Sequence, residues 1–183
     1  ISQAYIKNSN FIAFASPFLK DFANEFGVTT FCCKRLGTKV TYVYKYESNK
    51  ARLTTDDIGT QTLLHKTVAG LAFLAFLPKQ KSDDLLEQLL VKEFGNVKTK
   101  EYLEIVNGLD SYRKLGYVLK NGELDPFTCE LAIPVYNFEN KAVGVISATK
   151  LIFQENQLAE TKAYIEKFMK IAEAISYKQG YRP

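Results

Sequence analysis

The stretch "LHKTVAGLAFLAFLPKQK", Leu64 to Lys81, holds an unbroken run of apolar and glycine positions from Val68 to Leu77, in a chain whose mean hydropathy is slightly negative. A helix needs about 20 predominantly apolar residues to cross a bilayer. This run is too short for that, and it is closed by Pro78, Lys79 and Lys81. It is also longer than a typical strand, Ala, Leu and Phe dominate it, and β-branched residues are scarce. The composition therefore predicts a helix buried on all sides.

Upstream of this helix, Phe11, Ala15, Phe18, Leu19, Phe22 and Phe26 fall at helical spacing. Ser16 and Pro17 can restart a helix as cap and first position, and Gly27 can end it, which predicts one kinked helix or two. The next stretch, "VTTFCCKRLGTKVTYVYKYES", contains two β-branched and aromatic runs around a turn near Leu36 to Thr38, the pattern of an antiparallel hairpin. Its second strand sets Val40, Tyr42, Tyr44 and Tyr46 against Thr41, Val43 and Lys45. Large side chains on both faces predict cover on both sides of the sheet.

Downstream, "SDDLLEQLL" offers Ser82 as an N-cap with Asp83 and Asp84 in the first turn. "TKEYLEIVNGLDSYRKLGY" offers Thr99 as cap, acids early, Arg113 and Lys114 late, and Gly116 just past the end. Strands are expected near Tyr117 to Leu119, Phe127 to Tyr136 and Ala142 to Leu151, the last two joined by the turn "NFENK". Leu158, Ile165, Phe168, Ala172 and Ile175 mark one face of a terminal helix. The order helix, hairpin, three helices, hairpin, helix describes an α/β (α+β) domain with a mainly antiparallel sheet.

At 183 residues, 46% hydrophobic and 24% charged, the chain is long enough for one sizeable core. Its formal charge of +4 is small and its basic residues are scattered, so the field that holds nucleic acid is not expected of it. Three cysteines, Cys32, Cys33 and Cys129, make neither a disulfide framework nor a paired metal-ligand spacing, and a reducing cytoplasm fits them. The chain begins at Ile1 and shows no charged leader or cleavage site, which reads as a piece of something longer.

No Gly-rich phosphate loop, nucleophile elbow or metal-ligand set is present, so no catalytic residue, metal or cofactor is assigned. The single histidine, His65, has no serine motif or second histidine near it and is expected to be structural. Cys129 shares a strand face with Phe127, Leu131, Ile133 and Val135, apolar company that raises a thiol pKa, and Cys32 and Cys33 point one sulfur to each face of their strand. Thr128, Glu130 and Ala132, on the opposite face of the Phe127 strand, are small or polar. On the neighbouring strand Val143, Val145, Ser147 and Thr149 share a face that turns from apolar to hydroxylated. These faces form either a solvent-exposed edge or the floor of a small-molecule pocket. In the second case Thr67 to Gly70, opening the buried helix, present free backbone N–H groups at its rim.

With these elements in place, "GTQTLLHKTVAGLAFLAFLPKQK" resembles a segment of the effector-binding domain of IclR-family bacterial transcription regulators. "ASPFLKDFANEFGVTTF", "LDSYRKLGYVLKNGE" and "LAIPVYNFENKAVGVISATK" resemble further landmarks of the family in the right order. The resemblance implies a GAF-like fold, a bent antiparallel sheet flanked by helices, over residues 11–183. It implies that residues 1–10 are the end of a linker helix that follows a DNA-binding winged helix-turn-helix absent from this chain. It further implies a cytoplasmic regulator that senses a small metabolite, meets DNA only through that N-terminal domain, does not touch a membrane, and assembles as a homodimer or dimer of dimers. Carried over residue by residue, it places Val68 and Ala69 at the helix rim, Lys120 after the third helix, Glu130 on one strand, and Ser147 with Thr149 on the next.

Leu71, Lys120 and Glu130 depart from residues common in the family at those positions, so the effector class is read from this chain. Glu130 is expected either to pair with Lys120, which leaves a small polar or carboxylate effector able to dock on the helix N-terminus at Thr67 to Gly70, or, with Lys120 in a loop and turned outward, to make the pocket acidic. The second case is the one favoured here, and it suits an amine-bearing or neutral polyhydroxyl compound over a monocarboxylate. Two alternatives accompany this reading: a GAF-like sensory module of another signalling protein, and a thiol redox enzyme using Cys129.

Overall fold

The computed structural model describes residues 3–51, 56–95, 99–122, 127–151 and 158–183. Helix α1 (Gln3–Phe26) leads into strands β1 (Thr29–Leu36), β2 (Lys39–Glu47) and the short β3 (Gln61–Leu63). A 3-10 turn over Leu64–Lys66 then feeds helices α2 (Val68–Phe76), α3 (Lys79–Phe94) and α4 (Lys100–Leu115). Strands β4 (Val118–Asn121), β5 (Thr128–Tyr136) and β6 (Ala142–Leu151) follow, and helix α5 (Leu158–Lys178) closes the order. The described strands form one antiparallel sheet in the order β3-β2-β1-β6-β5-β4, so the two hairpins join through β1 and β6 at its centre. An edge location for the polar face of β6 is thereby excluded: that strand is paired on both sides.

The sheet separates two cores. On one face α2, α3 and α4 pack on Phe31, Cys33, Val40, Tyr42, Ala132 and Val145. On the other α1 and α5 pack on Cys32, Leu131, Ile133, Ile146 and Ala148. Cys32 and Cys33 do take opposite faces. The alternation expected of β2 is broken, because Cys32 pairs with Tyr44 while Cys33 pairs with Tyr42, leaving Val43 as the extra residue of a bulge. Val40 and Tyr42 therefore face α2, whereas Tyr44 and Tyr46 face α1. A second irregularity lies between Val135 and Tyr136, and such bulges increase the local bend and twist of a sheet.

Helix α2 is buried along Val68–Ala75, as its composition predicts. Thr67 caps it, its hydroxyl accepting from the Gly70 N–H at 3.0 Å. Pro78 stops it, since the residue before a proline is pushed out of the helical region, and Leu77 is extended at φ −74°, ψ 157°. Arg113 of α4 clips the far end, its Nε donating to the Ala75 carbonyl at 2.7 Å.

Of the two arrangements expected around Ser16 and Pro17, the single helix is the one formed: α1 continues through Pro17, which is exposed like Ala13 one turn earlier, so the carbonyl that the proline leaves without a donor sits on the wet side. Three local expectations are corrected. Helix α3 begins at Lys79, with Pro78 in the cap position, and Ser82 lies buried in the first turn, its N–H donating to the Pro78 carbonyl at 3.0 Å. Phe127 precedes β5 and is 66% exposed, so it does not share the apolar face of Leu131 and Ile133. Lys120 lies in β4, not in a loop. By contrast α4 has its expected ends, with Thr99 accepting from the Tyr102 N–H at 3.2 Å and Gly116 left-handed at φ 82°. The buried face of α5 comprises Tyr164, Phe168, Ala172 and Ile175, with Ile165 packed beside it; the side chain of Leu158 falls outside the described residues.

Candidate ligand-binding site

The sheet register decides what meets the start of α2. Ser147 of β6 lies between Phe31 of β1 and Ala132 of β5, and Thr149 lies between Thr29 and Glu130. Ala132 is packed into the core, whereas Ser147, Thr149 and Glu130 face an open space. A cavity of about 260 Å³ results, and Thr67, Ala69, Glu130, Ser147 and Thr149 line it. The first-turn N–H groups of Val68 and Ala69 have no acceptor within their own helix.

Other expected positions lie elsewhere. Val68 and Gly70 belong to the buried length of α2 and are not in the lining of the cavity, and the Gly70 N–H, expected free at the rim, is spent on the Thr67 hydroxyl. Gly70 instead permits a close approach: a Cβ there would lie 2.0 Å from the Leu64 carbonyl oxygen, so the glycine lets α2 pack on the 3-10 turn. Lys120 is the cross-strand partner of Glu130 in the register. Its ammonium lies 5.7 Å from the centroid of the Tyr112 ring, and the residue lines a neighbouring cavity of about 330 Å³ with His65, Leu71 and Tyr112. The half-buried Lys120 thus differs from the outward-turned lysine expected of a loop.

Phe31, Tyr42, Asp56, Thr62 and Lys66 complete the wall of the first cavity. Phe31 and Tyr42 meet edge-on at 5.1 Å between centroids. Burial pushes the Tyr42 phenol well up, helped by the charges of Cys33, Asp56 and Glu130 and by a hydrogen bond to Asp56. The phenol is therefore a neutral donor at any ordinary pH. Cys33 lies beneath the floor, its Sγ 3.7 Å from the Ser147 Oγ, and burial pushes its thiol up to about 12. Cys129 is pushed up to about 11, chiefly by burial, with Lys150 opposing and Glu130 reinforcing the shift. Neither thiol is activated as a nucleophile.

Lys66 adjoins Thr67 in sequence, and Phe31 and Tyr42 follow from the hairpin once its register is known. Asp56 comes from a segment without periodicity and carried no signal. Among the described residues no group of His, Cys, Asp and Glu could hold a metal ion, and no helix is long and apolar enough to cross a membrane.

Comparison with known proteins places this geometry. The chain is 24% identical over 169 residues to the HTH-type transcriptional regulator KipR of Bacillus subtilis (strain 168), and 25% identical over 167 residues to XynR of Escherichia coli (strain K12), in each case across 91% of this chain. It spans 66% of the length of each of these relatives. The fold is shared with the crystal structure of Thermotoga maritima IclR, at a TM-score of 0.79 and 22% identity over 97% of this chain and 72% of that one. It is also shared with the C-terminal domain of the E. coli regulator KdgR, at 0.76 and 20% identity over 94% of this chain and 99% of that one. The family model described as "Bacterial transcriptional regulator IclR C-terminal" matches residues 3–177, and the chain belongs to that family.

Proposed function

We propose that this domain senses a small, uncharged or amine-bearing polar metabolite in the cavity at the start of α2. On this reading it passes the binding event to a DNA-binding winged helix-turn-helix that precedes it in the whole cytoplasmic protein. The observation that carries the reading is one cavity whose wall brings together two carboxylates, Asp56 and Glu130, and the hydroxyls of Ser147 and Thr149, with Lys66 the one cation among the described residues of the lining. Such a wall can accept several hydrogen bonds from hydroxyl or ammonium groups, and it disfavours a plain monocarboxylate. At about 260 Å³ the space suits a metabolite-sized ligand. Residues 1–10 act as the end of the linker and residues 11–183 as the sensor, and self-association as a dimer or dimer of dimers converts a change at the cavity into a change in spacing between two DNA-reading heads. The protein works by binding and not by catalysis; for Cys129, a thiol pushed up to about 11 offers no support for redox chemistry.

A thermal-shift screen of polyols, amines and monocarboxylates on the wild type, Glu130→Gln and Thr149→Val tests the proposal. At a ligand concentration near a hundred times Kd, a melting-temperature rise of roughly 5–10 °C is expected for a polyol or amine, reduced in both variants. Stabilisation by a simple monocarboxylate, unchanged in Glu130→Gln, would overturn the assignment of ligand class; no stabilisation by any compound would count against the sensing role.

A further inference from the structure

Helix α2 ends at a third concavity, built from residues the sensing cavity does not use. It encloses about 430 Å³, and its floor includes Phe73, Phe76, Leu77 and Val143. Lys34, Arg35, Lys81 and Lys141 stand around it. Lys141 is ion-paired with Glu139 at 3.4 Å. Among the described residues no carboxylate is ion-paired with Lys34, Arg35 or Lys81.

Lys34 is the most constrained of the three. Its Nζ donates to the Val143 carbonyl at 2.5 Å and lies 4.8 Å from the centroid of the Phe11 ring, so it is held in place and partly stripped of water. Burial holds its pKa below the usual lysine value. An ammonium has three donors, and one is spent on Val143, leaving two for another acceptor. Arg35 is also oriented, its Nη1 donating to the Gly37 carbonyl at 2.8 Å, with the rest of the guanidinium fork uncommitted. Cations gathered without a counter-charge repel one another, and an anion among them removes that repulsion while gaining charge-assisted hydrogen bonds. The aromatic and aliphatic floor adds a place for an apolar body next to the charge.

We propose that this cleft binds a small organic anion, a phosphate or carboxylate on an apolar body, with the anionic group among Lys34, Arg35 and Lys81 and the body on Phe73 and Phe76. The site is separate from the sensing cavity and its occupancy does not depend on what that cavity binds, so either assignment can fail while the other stands.

The test is an amide NMR titration of the chain with phenyl phosphate, with inorganic phosphate as charge without a body and benzyl alcohol as body without charge. Phenyl phosphate is expected to give saturable shifts at Lys34, Lys81, Ala142 and Val143, with affinity about tenfold above either comparison compound and weakening as salt is raised. Lys81→Gln, at an exposed position that leaves folding intact, is expected to weaken binding several-fold, and Lys34→Gln more strongly. The proposal is overturned by any of three results: no saturable shift at these residues at millimolar phenyl phosphate, equal binding of inorganic phosphate, or affinity unchanged in both variants. Shifts confined to Thr67 and Ser147 would likewise overturn it, by placing the anion in the other cavity.

Discussion

Gly70 and Gly144 are positions at which a single added methyl group meets the core. A Cβ at Gly70 would be driven onto the backbone oxygen of Leu64, and backbone cannot move aside as a side chain can. Gly70→Ala, a favourable change in an open helix, is therefore expected to destabilise by about 3 kcal/mol or more, read as a fall in the urea midpoint. At Gly144 the collision is with the Phe11 ring at 2.6 Å. Gly144→Ala should cost about 1–3 kcal/mol, and Phe11→Leu in the same chain should return part of it, which a double-mutant cycle measures. Cys33 makes stability depend on pH. Its thiol is raised from 9.0 to about 12 in the folded chain, so between those values the unfolded chain holds fewer protons and stability falls as pH rises. The contribution is fully present below pH 9, and melting temperatures followed from pH 7 to 11 should drop above pH 9, with a shallower fall in Cys33→Ala. Of the residues around the cavity at the start of α2, those whose position follows from strand alternation, Glu130, Ser147 and Thr149, were legible in the sequence. Asp56 was not, because a loop residue reaches its place through the path of the chain and no period announces it.

Helix ends are local events, and α4 is written in full by Thr99 and Gly116. Thr99→Ala should cost about 1 kcal/mol through loss of the bond to the Tyr102 N–H. Ser82 is the contrasting case. It has the residue type of a cap but lies one turn inside α3, buried, with no hydrogen-bond partner for its hydroxyl among the described residues. Ser82→Ala should be neutral or stabilise by up to about 1 kcal/mol; a loss as large as that of Thr99→Ala in chemical denaturation would return Ser82 to a capping role. The misreading has a physical origin: Pro78 ends α2 and also opens α3, so the second helix needs no capping side chain of its own. The bulge at Val43 escaped for a related reason, since a period of two describes a strand without saying where an extra residue enters. Helix α2 was legible because a run buried on every side has no period to misread.

For the whole molecule, the formal surplus of +4 is small and the basic residues are scattered along the sequence, so the long-range field that holds nucleic acid is not expected. Residues 1–183 alone should show no sequence-selective binding to duplex DNA in a gel shift at physiological salt, and a selective shift would mean that this domain reads bases itself. Self-association is expected from the 11 Tyr and 13 Phe, some of which stay at the surface, with Phe138 71% and Tyr177 58% exposed. Sedimentation that gives only monomer at high concentration would count against it. The pairing of β1 with β6 at the centre of the sheet also has a consequence for how the chain is made. Cys33 and its neighbour Ser147 are separated by 114 residues, which a ribosome takes roughly 6–23 s to polymerise. Throughout that interval the inner edge of the first hairpin has no partner, and both sulfurs of the Cys32 and Cys33 pair lack the strand that will cover them. Their exposure to oxidants is thus set by the pace of translation, and nascent chains stalled before Ala142 should oxidise at Cys32 and Cys33 and aggregate more readily than the finished fold, in which both sulfurs are buried.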